Sequence, residues 1–223
     1  MNIHRFLILF IAFLPVLDTE AARAPVVLVV GDSLSAGYGI ELRDAWPTLL
    51  QQRLRQQGYP HAVANASISG DTSAGGRARL ADALKRQRPE IVILELGAND
   101  GLRGLSLSAT RANLAAMIQT THATGARVLL VGIHLPPNYG PEYTKKFHAI
   151  YHDLARAHRL ALVPFLLDGV ALNPALMQSD GLHPRAVAQP RLLDNIWPKL
   201  LSLLKPAVSP SNRPPQPAAA HVE

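Results

Sequence analysis

The stretch "PVVLVVGDSLSAGYG", residues 25–39, decides the frame of the chain. Its first seven residues are almost all Val or Leu, as in a strand covered on both faces of a parallel sheet. A Gly-rich turn carrying Ser33 follows at once. That serine is open to four readings: a plain βα turn, a helix N-cap, part of a phosphate cradle, or a nucleophile. The segment is not G-x-G-x-x-G and lacks the Gly-Lys-Ser/Thr of a P-loop, which weakens the cradle. It is not G-x-S-x-G either, so the nucleophile elbow of the α/β-hydrolases does not apply.

Further apolar runs follow at intervals: "HAVANAS" (61–67), "EIVILELG" (90–97), "ARVLLVGI" (126–133) and a weaker "LALVPF" (160–165). Helical patterns sit between and after them, at 44–58, 72–87, 108–125, 141–158 and 184–205. Pro190 and Pro198 are expected to kink or split the last, because each removes a backbone donor. Alternating strands and helices predict a doubly wound α/β sandwich around a parallel sheet.

The N-terminus has a short positive start, "MNIHR", a dozen mostly apolar residues broken by Pro15, then "DTEAARA". This is the layout of a secretory signal, too short for a spanning helix of about 20 residues. The expected organisation is a signal peptide over 1–24, cut near Ala21–Ala24, one domain over 25–205, and a disordered Pro-rich tail over 206–223. The product is expected to be a periplasmic monomer with no stable membrane insertion. Lys and Arg number 22 against 16 Asp and Glu, a charge of +6, but no basic run marks a nucleic-acid patch, so no nucleic-acid partner is expected. There is no Cys, which excludes a thiol nucleophile, thiolate metal ligands and disulfides.

Ligands of an open parallel sheet bind beyond the carboxyl ends of its strands. Ser33 lies there after the first strand, Gly70 in "SISGDTS" after the second, Asn99 in "GANDG" after the third, and Asp180 with His183 in "SDGLHP" before the last helix. Each alone reads as a turn; together they supply acyl transfer. A serine hydroxyl needs an imidazole to take its proton, and the imidazole needs an acceptor for its other N–H. The Ser33 and Gly70 N–H groups and the Asn99 amide can serve as oxyanion donors. His148 and His152 have the i, i+4 spacing of metal ligands, but the Glu of H-E-x-x-H is missing. A solvated helix face is the better reading, and no metal or cofactor is expected. Asp32 and Asp71 read as supports of their turns, Trp46 and Trp197 as core.

At these residues the sequence resembles the SGNH hydrolases, also called GDSL esterases, with Ser33, Gly70, Asn99 and His183 in the four naming positions. The blocks "AWPTLL", "ISGDTS", "ELGANDGLRG", "LPPNYG" and "AIY" are similar to the periplasmic acyl-CoA thioesterase and lysophospholipase group of that family. The resemblance, from about residue 26 to 204, implies a flavodoxin-like three-layer α/β/α sandwich with a five-stranded parallel sheet. It implies serine hydrolysis of acyl esters, thioesters and lysophospholipids, arylesterase activity included, with no metal. It also implies that "HLPPNYGPEY" (134–143) is a mobile loop over an acyl groove, with Leu135, Pro136 and Tyr139 touching substrate. A carbohydrate deacetylase or short-chain esterase of the same family remains open, as does a nucleotide-binding or adhesion module on the same fold.

Overall fold

Five apolar segments pair as parallel strands: β1 (Val26–Gly31), β2 (Ala62–Asn65), β3 (Ile91–Glu95), β4 (Arg127–Val131) and β5 (Ala161–Val163), in the spatial order β2-β1-β3-β4-β5. The computed structural model describes residues 23–204; the tail and all but the end of the expected signal peptide lie outside them. β1 and β3 are buried at every residue because helices cover both faces. Alternate residues serve opposite faces. Val27, Val29, Ile91 and Ile93 pack with Trp46, Leu50 and Leu54 of α2 (Trp46–Gln56) and with Leu192, Ile196 and Leu200 of α7 (Gln189–Leu201). Leu28, Val30, Val92 and Leu94 pack against α3 (Ser73–Gln87), α5 (Leu107–Ala123) and α6 (Pro141–His158). The result is the expected three-layer α/β/α sandwich.

The chain winds outward from β1 in both directions, so the strand order reverses between β1 and β3. That reversal opens a crevice beyond the carboxyl ends of these two strands. Ser33 follows β1 and Asn99 follows β3, which places both residues beside it.

Two expectations are corrected. The final helix does not run from 184 and does not break. It starts at Gln189, with Pro190 in the first turn, where no backbone donor is needed, and it continues through Pro198. Pro198 and Asp194, four residues earlier, lie on the exposed side, so the carbonyl that loses its partner faces water and the buried stripe stays whole. The "GANDG" segment is not only a turn: it opens a short helix, α4 (Ala98–Leu102). Trp46 is wholly buried, whereas Trp197 is only partly so. No helix among the described residues is long and apolar enough to cross a membrane.

Candidate active site

Ser33 is the first residue of a four-residue helix, α1 (Ser33–Ala36), which the Asp32 carboxylate caps by accepting the Leu34 N–H at 3.1 Å. Gly37, at φ 77°, ends it in the left-handed conformation that glycine takes without strain. The turn aims the Ser33 hydroxyl at an imidazole 150 residues away: Oγ lies 2.8 Å from His183 Nε2. On the other side of the ring, Nδ1 lies 2.6 Å from Asp180 Oδ2. The second Asp180 oxygen accepts the Leu182 and His183 N–H groups at 2.9 and 3.0 Å, so the carboxylate also shapes the loop that carries the ring. Burial would raise the Asp180 carboxyl, but hydrogen bonds from the His183 ring, the two N–H groups and the His183 charge outweigh it and hold the group down at about 2. An ionised Asp180 favours the proton on Nδ1 and leaves Nε2 to accept from Ser33.

The amide of Asn99 donates to the Asp71 carbonyl at 2.9 Å and to Asp32 Oδ2 at 3.3 Å. Gly97 makes this approach possible. Its φ is 118°, and a Cβ there would fall 2.4 Å from the Tyr151 hydroxyl, which donates to the Leu96 carbonyl. Gly70, at φ 80°, is exposed, and its carbonyl accepts from Arg103 at 3.0 Å. Asp32 and Asp71 do support their turns, Asp71 through an ion pair with Arg79 at 2.7 Å.

Beneath the Ser33 turn lie two buried carboxyls, Asp32 and Glu95. Burial, helped by Asp71 and Asp100, pushes Asp32 up to about 7 against the opposing pull of the Leu34 N–H and the Asn99 amide. Burial and the Asp32 charge push Glu95 well above the usual carboxylate range, against the Ser35 hydroxyl and the Asp32 N–H. Ser35 donates to Glu95 Oε2 at 2.6 Å, while Glu95 Oε1 has no hydrogen-bond partner among the described residues. Each carboxyl opposes the other's ionisation, and burial favours the protonated form of Glu95.

A cavity of about 770 Å³ opens beside Ser33 and His183. Its wall includes Leu34 and Asn99, then Ile133, Leu135, Pro136 and Pro137 after β4, and Phe165 and Leu167 after β5. It therefore crosses three inter-strand steps of about 4.8 Å each, roughly 14 Å in all. Leu135 and Pro136, expected from the resemblance to touch substrate, line this cavity. Tyr139 does not join the wall; its hydroxyl donates to the Leu102 carbonyl at 3.0 Å and, with Tyr143 on Gly101, ties the loop to α4. The reading of His148 as a solvated face is also corrected. It lines the cavity, stacks on His134 at 3.6 Å, approaches the Ile133 carbonyl with Nδ1 at 3.3 Å and meets His152 nitrogen to nitrogen at 3.0 Å. Among the described residues no three His, Asp or Glu side chains converge as a metal-ligand set.

Sequence reasoning missed several supports: Glu95, Arg79, which bonds the Gly31 and Ala66 carbonyls, and Asp100, which holds Ser73 and Thr110. Only Glu95 left a visible signal, a carboxylate closing an otherwise apolar strand.

A hydroxyl, an imidazole and a carboxylate in series, at the switch point of a parallel sheet and beside a mainly apolar cavity, define a serine ester hydrolase. Residues 29–189 match the GDSL-like lipase/acylhydrolase family, and the chain belongs to that family. It is similar to esterase TesA of Pseudomonas aeruginosa, 53% identical over 189 residues that cover 85% of this chain and 94% of the relative. It is also similar to thioesterase 1/protease 1/lysophospholipase L1 of Escherichia coli, 45% identical over 193 residues, 86% of this chain and 91% of the other. The crystal structure of TesA superposes with a TM-score of 0.79 at 53% identity, covering 80% of this chain and 99% of that chain.

Proposed function

We propose that this protein hydrolyses acyl esters and thioesters of medium to long chain, lysophospholipids and acyl-CoA among them, as a periplasmic monomer. The observation that carries this reading is the cavity of about 770 Å³ that begins at Ser33 and is walled largely by Leu, Ile, Pro and Phe. A sugar deacetylase has no use for that apolar length, and the relatives' names, a thioesterase and lysophospholipase among them, agree with the acyl reading.

In this reading His183 Nε2 takes the Ser33 proton as Oγ attacks the acyl carbonyl. The Ser33 and Gly70 N–H groups and the Asn99 amide receive the oxyanion, Asn99 giving up its long contact to Asp32. His183 then protonates the leaving alcohol or thiol, and water, deprotonated by the same ring, releases the acid from Ser33.

The test is a p-nitrophenyl ester series from acetyl to palmitoyl, with Ser33→Ala as the control. Each methylene buried contributes about 0.8 kcal/mol, so kcat/KM should climb steeply to the length that fills the cavity. Leu135→Ala should flatten the climb and spare acetyl. A profile highest at acetyl would favour the deacetylase. An equal loss at every length in Leu135→Ala would mean that this side chain, packed against Gly101 of α4, supports the site rather than the chain.

A further inference from the structure

We infer that Tyr38 is a positioning residue for the reaction, holding the His183 imidazole in register with Ser33 and stabilising the cation that forms on it. The inference rests on the Ser33–His183 reading above and goes beyond it to a residue outside the triad and the oxyanion donors.

Three contacts carry it. The Tyr38 ring covers the His183 ring, with centroids 4.5 Å apart and planes tilted by 40°. The Tyr38 N–H donates to the carbonyl of Ser33 at 3.2 Å. The Tyr38 carbonyl accepts from Gln178 Nε2 at 2.8 Å, and the same amide nitrogen donates to the Pro184 carbonyl at 3.1 Å. The Gln178 backbone N–H donates in turn to the His183 carbonyl at 2.7 Å. One residue is thus tied to the nucleophile by its backbone, to the base by its ring, and to the base's loop through Gln178. Gly39 keeps the joint tight: at φ 73°, a Cβ there would lie 2.3 Å from Gln178 Oε1.

Tyr38 is 52% exposed, a large ring left on the surface and not absorbed into the core. A core role therefore does not explain it, whereas a role toward His183 does. When His183 takes the Ser33 proton it becomes a cation against an aromatic face, and such pairs are attractive within about 6 Å. The gain exists only after proton transfer, so it belongs to the transition state and should appear in kcat.

The experiment compares Tyr38→Phe, Tyr38→Leu and Ser33→Ala with the parent on p-nitrophenyl acetate, a substrate too short to fill the cavity, with melting temperatures taken alongside. Tyr38→Phe keeps the ring and should hold kcat within about twofold. Tyr38→Leu keeps apolar bulk without the ring and should lose about three- to tenfold in kcat with KM unchanged. A Leu variant as fast as the parent, a Phe variant as slow as Leu, or a change confined to KM would overturn the role of the ring. Persistent activity in Ser33→Ala would overturn the mechanism beneath it, and so separates the two failures.

Discussion

Asn99 shows how far a single side chain depends on its neighbours. Its amide is held by the Asp71 carbonyl and, more loosely, by a buried Asp32 oxygen. In the proposed mechanism this donor meets charge that appears only during the reaction. Asn99→Ala should therefore lower kcat by about 10²–10³-fold and leave KM nearly as it was. A variant altered only in KM would assign Asn99 to ground-state binding. At this scale Ser33, Asn99, Asp180 and His183 were legible because each stands in a short polar motif just after an apolar strand or just before the last helix. Tyr38 and Gln178 were not, because a ring tilted against an imidazole and an amide bridging two loops depend on pairs 145 and 140 residues apart. No local pattern encodes such a pair.

The elements that matter most are β1 and β3 with the short helices they feed. Their apolar runs were readable, whereas the strand order that reverses between them was not, since it depends on pairing between distant segments. The unbroken α7 was not, since its tolerance of Pro198 depends on which side of the helix meets water. Glu95, at the end of β3, joins the two strands under Ser33 by accepting from Ser35 and from the Asp32 N–H. Its carboxyl is raised, so the fold prefers its protonated form. That preference contributes stability in full below the ordinary value of 4.5, and the contribution is lost as the pH climbs from there toward the folded value. Glu95→Gln keeps the shape of the protonated acid and cannot ionise. Its stability relative to the parent should grow with pH from about 5 upward, by at most about 1.4 kcal/mol per unit. Urea titrations at pH 5, 7 and 9 measure it, and a constant difference between the proteins would show that Glu95 does not carry that proton.

On the scale of the whole molecule, two halves of the chain meet at one hydroxyl. Residues before β2 supply the Ser33 hydroxyl, and a loop before α7 supplies the His183 imidazole and the Asp180 carboxylate that face it, across the edge of a sheet that neither half builds alone. The polar wall that His134 and His148 bring to the cavity was invisible in the sequence, because His134 stands on a loop after β4 and the i, i+4 spacing of His148 and His152 says nothing of which way their helix face turns. The central claim is that Ser33 is the nucleophile, and an alkyl phosphonate that mimics the acyl carbonyl tests it directly. After reaction, peptide mass spectrometry should find one covalent adduct on Ser33, formed at a rate that falls by orders of magnitude in His183→Ala. An adduct on Ser35 or elsewhere, or full loss of activity with Ser33 unmodified, would contradict it.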